Sequence, residues 1–158
     1  MQIKHAQVVN VQYGTNVVLI HPSNLYGCTL EDDVFIGPFC EVQSDVFIGK
    51  RTRVQSHSFI CSSVHIGEDC FIGHGVMFIN DKFSLGMPSP SQDLWERTKV
   101  GNRVCIGSNA TILPVSICDD VVIGAGAVVT KDITQSGFYI GNPAYFLRPL
   151  PKHSKGQV

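Results

Sequence analysis

His74 and Asn80, six positions apart, are the side chains best placed in this sequence to do chemistry. A positioned imidazole can take up a proton from a reacting group, worth about 10²–10⁴-fold in rate. His74 stands in Ile72-Gly73-His74-Gly75 and reads equally as a solvated ring or a contact to another subunit. Asn80 opens an irregular stretch and reads equally as a turn residue, since Asn tolerates left-handed backbone. His57 and His65 could contact a nucleotide or a neighbouring subunit, or simply face solvent. Three histidines also raise a zinc site. Here they are spaced eight and nine apart, with no further histidine until His153. Six cysteines include no CxxC pair, so Cys28, Cys40 and Cys70 read as small packed thiols in a reducing, cytoplasmic setting.

The elements that must hold these groups follow from a repeat. Every sixth residue from Leu30 is apolar: Leu30, Ile36, Val42, Ile48, Val54, Ile60, Ile66, Ile72 and Phe78. Four residues after each anchor comes a smaller group, among them Val34, Cys40, Val46, Thr52, Ser58, Val64, Cys70 and Val76. A period of six suits neither a 3.6-residue helix nor a long alternating strand. It suits short straight runs with a corner every six residues, eighteen residues making three sides of a parallel β-helix. Gly37, Gly49, Gly67 and Gly73 directly follow anchors, where a corner or a close backbone approach favours a missing side chain. The fold predicted is therefore all-β, with segment 1–17 as an N-terminal cap, a β-helix over 18–150 and a flexible tail over 151–158. An imperfect first turn is read with Pro22 at a small position and Asn24 replacing an anchor.

The rhythm fails at Asn80. Residues 81–98 carry two prolines and several serines, and an unstructured loop of that length in a compact domain is usually functional. The repeat resumes at Val100, Ile106 and Ile112, loses one residue near Pro114, and continues at Ile117, Ile123 and Val129. Phe78 and Val100 are twenty-two positions apart, so the loop is an excursion from one corner. The net charge of −1, with scattered Lys and Arg, argues against nucleic acid or an anionic membrane as partner. No apolar run approaches the roughly 20 residues that cross a bilayer. The first residues also lack the pattern of a secretory signal.

Hexapeptide coils, an interrupting loop, "VVIGAGAVVTKDI" and "GNPA" together resemble the hexapeptide-repeat acyltransferases, over residues 18–150. The resemblance implies a left-handed β-helix, a homotrimer with active sites between subunits, and acyl transfer from coenzyme A without a metal. "VMFINDKF" followed by "ERTKVGNRVCIGSNATILP" is similar to the bacterial N-acetyltransferases of nucleotide-linked amino sugars, in the 3-amino sugar branch. That narrower likeness implies a dTDP- or UDP-linked 3-amino-3,6-dideoxyhexose as acceptor, made for surface polysaccharide such as the O-antigen of lipopolysaccharide.

The roles of Asn80, His74 and the 141–144 element come from the resemblance, and the others from residue type and outward position. Asn80 matches the Asn implied to hydrogen-bond the reacting amine, and His74 holds the position of the catalytic His in other branches. Acetyl-CoA is expected along the C-terminal coils at Ala125, Gly126, Gly141, Asn142, Pro143 and Ala144, with Lys131 and Arg148 for its phosphates. The nucleotide sugar is expected near Glu41, Gln43, Arg53, Gln55 and His57 on the early coils, and at Asp81 and Lys82 beside the loop. Two alternatives stand beside this reading: acyl transfer to another small amine or hydroxyl acceptor, and a catalytically silent β-helix scaffold. A zinc hydratase of the gamma carbonic anhydrase type would need a His pair five apart late in the helix, which this sequence lacks.

Overall fold

The computed structural model describes residues 8–151. Within them the chain winds as a left-handed parallel β-helix whose three sides are sheets of seven, six and eight strands. The first side holds Val8–Val9, Asn24–Tyr26, Glu41–Val42, Phe59–Ile60, Met77–Phe78, Thr111–Ile112 and Val128–Val129. The second runs from Gln12–Tyr13 to Ser116–Ile117, and the third from Val18–Leu19 to Gly137–Ile140. Tyr145–Arg148 turns back antiparallel on Gly137–Ile140 and ends the third sheet.

The six-residue period is the distance from one side to the next. Ile36, Val42, Ile48, Val54, Ile60, Ile66 and Ile72 all have 0% exposure and form one apolar column with the smaller groups between them. Each such side chain is worth about 1.5–3 kcal/mol on burial. The corners are turned by residues with left-handed φ, again every six positions: Asp33, Phe39, Asp45, Arg51, His57, Ser63 and Asp69. The glycines after the anchors do a different job. A Cβ on Gly49 would lie 2.7 Å from the Gly67 carbonyl oxygen of the next coil, so its absence lets backbones stack.

Two boundaries differ from the sequence reading. In the early turn Ser23 and Leu25 are buried while Pro22 is exposed, so the anchor is Leu25 and not Asn24. The reason is a seventeen-residue coil there, with Leu25 paired to Val42. Residues 8–17 of the segment expected as a cap make a coil of their own, Val8 pairing with Leu25 and Tyr13 with Leu30. Residues 1–7, and the expected tail beyond Pro151, lie outside the described residues.

Candidate active site

Three corners run the length of the helix, and the candidate residues sort among them. Ladder registers put Ser56, His74, Ser108 and Ala125 in one column at the corner between the third and first sides. Gly126 and the turn 141–144 close the same corner, with Val128 N donating to Gly141 O and Ala144 N to Val128 O. His57 is there too, stacked on Phe39 at 4.9 Å, and so is half-buried Gln55. Asn80, Asp81, Lys82 and Lys131 stand instead at the corner between the first and second sides, with Gln43. Side one lies between the two groups, with Glu41, Phe59 and Met77 facing outward along it.

Asn80 is held by a short relay. Glu41 Oε1 accepts from Gln43 Nε2 at 2.9 Å, and Gln43 Oε1 accepts from the Ser62 N–H at 3.2 Å. The Ser62 carbonyl then accepts from Asn80 Nδ2 at 3.5 Å, a weak bond. The Asn80 backbone carbonyl accepts from the N–H of Glu96 at 2.9 Å and so draws the loop's returning end to its departure point. Beside the carboxamide is a cavity of about 400 Å³ whose walls include Phe59, Met77, Phe78, Phe83 and Trp95. The loop supplies Phe83 and Trp95, and a 3₁₀ turn over Gln92–Leu94 leads into the latter.

His74 is exposed, and its Nδ1 lies 2.9 Å from Ser56 Oγ one coil away. A ring tethered at Nδ1 presents Nε2 outward. His74 begins the first side of its coil and Asn80 ends it, so they occupy opposite corners, and six residues of extended chain reach at most ~20 Å.

Other expected residues lie apart from both groups or are already engaged. Arg53 is on the third side, its guanidinium 4.3 Å from the Phe35 ring. Arg148 is on the same side, 3.9 Å from the Phe138 ring. Lys82 pairs with Glu96 at 2.8 Å, and the Asp81 carboxylate is spent within the loop. His65 is on the second side, stacked on Phe47 at 4.5 Å, where burial, then the Lys99 charge, hold it below the usual imidazole range. It borders a recess of about 370 Å³ whose Asp45 is engaged by Ser63 and Arg97. Among the described residues no group of three or more His, Cys, Asp and Glu is gathered to hold a metal.

Reading the sequence alone missed Ser56 and the apolar wall of Phe59, Met77, Phe83 and Trp95. Ser56 was there to be found: it is eighteen residues before His74, one full coil.

Residues 97–131 match the family model described as the hexapeptide repeat of succinyl-transferase. The bifunctional protein GlmU of Streptococcus uberis is 27% identical over 143 residues, which cover 85% of this chain and 31% of GlmU. A probable macrolide acetyltransferase of Lysinibacillus sphaericus is 33% identical over 104 residues, 52% of this chain and 58% of that protein. The chain thus spans less than two thirds of the length of these relatives. Among solved structures, the N-acyltransferase AntD from Bacillus cereus, crystallised with dTDP and coenzyme A, superposes with a TM-score of 0.77 at 18% identity. That superposition takes in 93% of this chain and 85% of AntD. The GDP-perosamine N-acetyltransferase of Caulobacter crescentus superposes at 0.54 with 22% identity, over 90% of this chain and 57% of that one. Over residues 97–131 the chain is thus similar to hexapeptide-repeat proteins, and the relatives named here include acetyltransferases and an N-acyltransferase.

Proposed function

We propose that the chain is an acetyl-CoA-dependent N-acetyltransferase acting on a dTDP- or UDP-linked amino sugar, a 3-amino-3,6-dideoxyhexose destined for bacterial surface polysaccharide. One observation carries the reading. At the break in the repeat the Asn80 carboxamide makes only a 3.5 Å bond, with no partner for its Oδ1 among the described residues, and it borders a cavity walled by the loop. An amide oxygen so placed accepts an N–H of the acceptor amine and turns the nitrogen lone pair toward an incoming thioester carbonyl. The amine adds to that carbonyl, the tetrahedral oxyanion collapses, and the thiolate of coenzyme A leaves as the amide nitrogen gives up its proton. His74 Nε2 is the candidate base for that proton.

Ala125, Gly126 and the 141–144 turn share the corner of His74, so a pantetheine arm lying on that corner ends near His74. Gly126 suits such an approach, since a Cβ there would meet nothing within 4 Å. Ala125 is exposed as well. Lys131 stands at the other corner, in the column of Asn80, and fits the acceptor's phosphates better than the donor's. Acceptor and donor groups therefore sit at opposite corners of side one, and a homotrimer that sets one subunit's His74 corner against its neighbour's loop brings them together. AntD has been crystallised with dTDP-4-amino-4,6-dideoxyglucose and coenzyme A, and a nucleotide-linked amino sugar is the acceptor class adopted here.

The test is a thiol-release assay over dTDP- and UDP-linked 3-amino and 4-amino sugars, with a galactoside as hydroxyl acceptor. Coenzyme A release is expected with the 3-amino sugars. Release with the 4-amino sugar or the galactoside alone would move the assignment there, and no release with any acceptor sinks it. With a working acceptor, Asn80→Ala is expected to lower kcat by about 10²-fold, the scale of losing one polarising contact. His74→Ala is compared beside it, and a loss under tenfold removes the base role.

A further inference from the structure

Asp81 follows Asn80 directly, yet its carboxylate faces into the loop. Oδ1 accepts from the Phe83 N–H at 2.9 Å and from Ser89 Oγ at 3.0 Å, and Oδ2 accepts from the Ser89 N–H at 2.7 Å. A carboxylate offers about four lone-pair sites, so three are already filled and little remains for a ligand. The turn it closes has few other ties. Gly86 N donates to Phe83 O at 2.8 Å, and the residues from Phe83 to Pro88 are exposed. Phe83 is nevertheless part of the wall beside Asn80, as is Trp95 at the far end of the loop. Lys82 and Glu96 pair across the base at 2.8 Å, which fixes where the loop leaves and returns but not how its outer turn folds.

We propose that Asp81 is a positioning residue: by tying both ends of the 83–89 turn to the chain next to Asn80, it holds Phe83 against the cavity and so sets how tightly the acceptor binds. The kinetic half of this proposal rests on the acyl-transfer reading, while the structural half does not.

The electrostatics agree with the geometry. The backbone N–H groups of Ser89 and then Phe83, with the Ser89 hydroxyl, hold the Asp81 carboxyl below its ordinary range. The charged groups of the loop around it are Lys82 and Glu96, engaged with each other, Arg97, paired with Asp45, and Asp93, whose carboxylate accepts from Ser91 Oγ. A carboxylate with a lowered folded-state pKa contributes its closing effect above the ordinary carboxylate range and loses it only as pH falls through the lowered value. The latch is therefore shut at neutral pH.

Two variants test it, Asp81→Asn and Ser89→Ala, the second keeping the chain's charge in case the first fails to fold. Limited chymotrypsin digestion reports the loop without any substrate. Cutting at Phe83, Leu85 or Trp95 is expected to speed up about tenfold in Asp81→Asn, the scale of losing a hydrogen bond to a charged group, and less in Ser89→Ala. With an active acceptor, its KM should rise about tenfold while kcat moves less than about threefold and acetyl-CoA binding stays as it was. Unchanged digestion in both variants overturns the latch. A fall in kcat at constant KM overturns the positioning role and puts Asp81 at the reaction itself. If the chain transfers acetyl to none of the acceptors, the digestion alone decides the structural half, so the two failures are told apart.

Discussion

Ser56 and His74 are eighteen residues apart in sequence and in hydrogen-bond contact at 2.9 Å, and that pair shows what single residues contribute to this site. The residue types were legible in sequence: an imidazole and a carboxamide near a break in the repeat. Their relation was not, because six residues is also one side of the helix, which sends His74 and Asn80 to different corners. Nor could the sequence say that Asp81 is consumed by its own loop, which depends on a patternless turn that brings Ser89 back eight positions on. For Ser56→Ala, losing one neutral hydrogen bond worth about 1 kcal/mol should lower kcat roughly fivefold. In a His74→Ala background the same change should do nothing, and a double-mutant cycle by steady-state kinetics reads the difference. Equal effects in both backgrounds would mean that Ser56 acts elsewhere.

At the scale of a coil, two devices hold successive turns together. Close stacking is one, and Gly49→Ala should cost about 1–3 kcal/mol in urea unfolding, because the added methyl meets the Gly67 backbone and not a flexible side chain. The other is a ladder of ion pairs at the corner between the second and third sides, Arg51 with Asp69 and Glu68, and Arg103 with Asp120 and Asp119. Hydrogen bonds from Arg51 and Arg103 hold Asp69 and Asp120 below the ordinary carboxylate range. Their contribution is present above that range and fades as pH falls through the lowered values. These side chains are well exposed, so the effect is small and weakens with salt. Acid unfolding followed by circular dichroism should begin at higher pH in an Arg51→Met, Arg103→Met double variant, and the gap should narrow in 1 M salt, where screening is about 3 Å. Identical curves would remove the ladder from the account. The six-residue period announced the coils in advance. These ladders join residues sixteen to eighteen apart, about one coil, a spacing that brings the charges within reach of one another but does not say which of them pair.

Across the whole molecule, the architecture follows almost entirely from the spacing of apolar residues, and the exceptions come from coils one residue short. Leu25 to Leu30 and Ile112 to Ile117 are steps of five at the corner between the first and second sides, where Val42 to Ile48 and Ile60 to Ile66 are steps of six. The residue lost near Pro114 is therefore a shortened corner. The same corner launches the loop, and the arithmetic there has a consequence for engineering. Phe78 and Val100 are twenty-two positions apart, and residues 81–97 number seventeen, so cutting them out leaves a step of five, a length this corner already uses at Val8 to Tyr13, Leu25 to Leu30 and Ile112 to Ile117. The excised chain, Asn80 joined to Thr98, should fold with native-like circular dichroism and cooperative melting, and acceptor turnover should vanish. Collapse of the fold on excision would show that the loop also braces the coils. A helix that survives would be a blank frame with one vacant corner, onto which loops of seventeen residues with other acceptor walls could be spliced in phase.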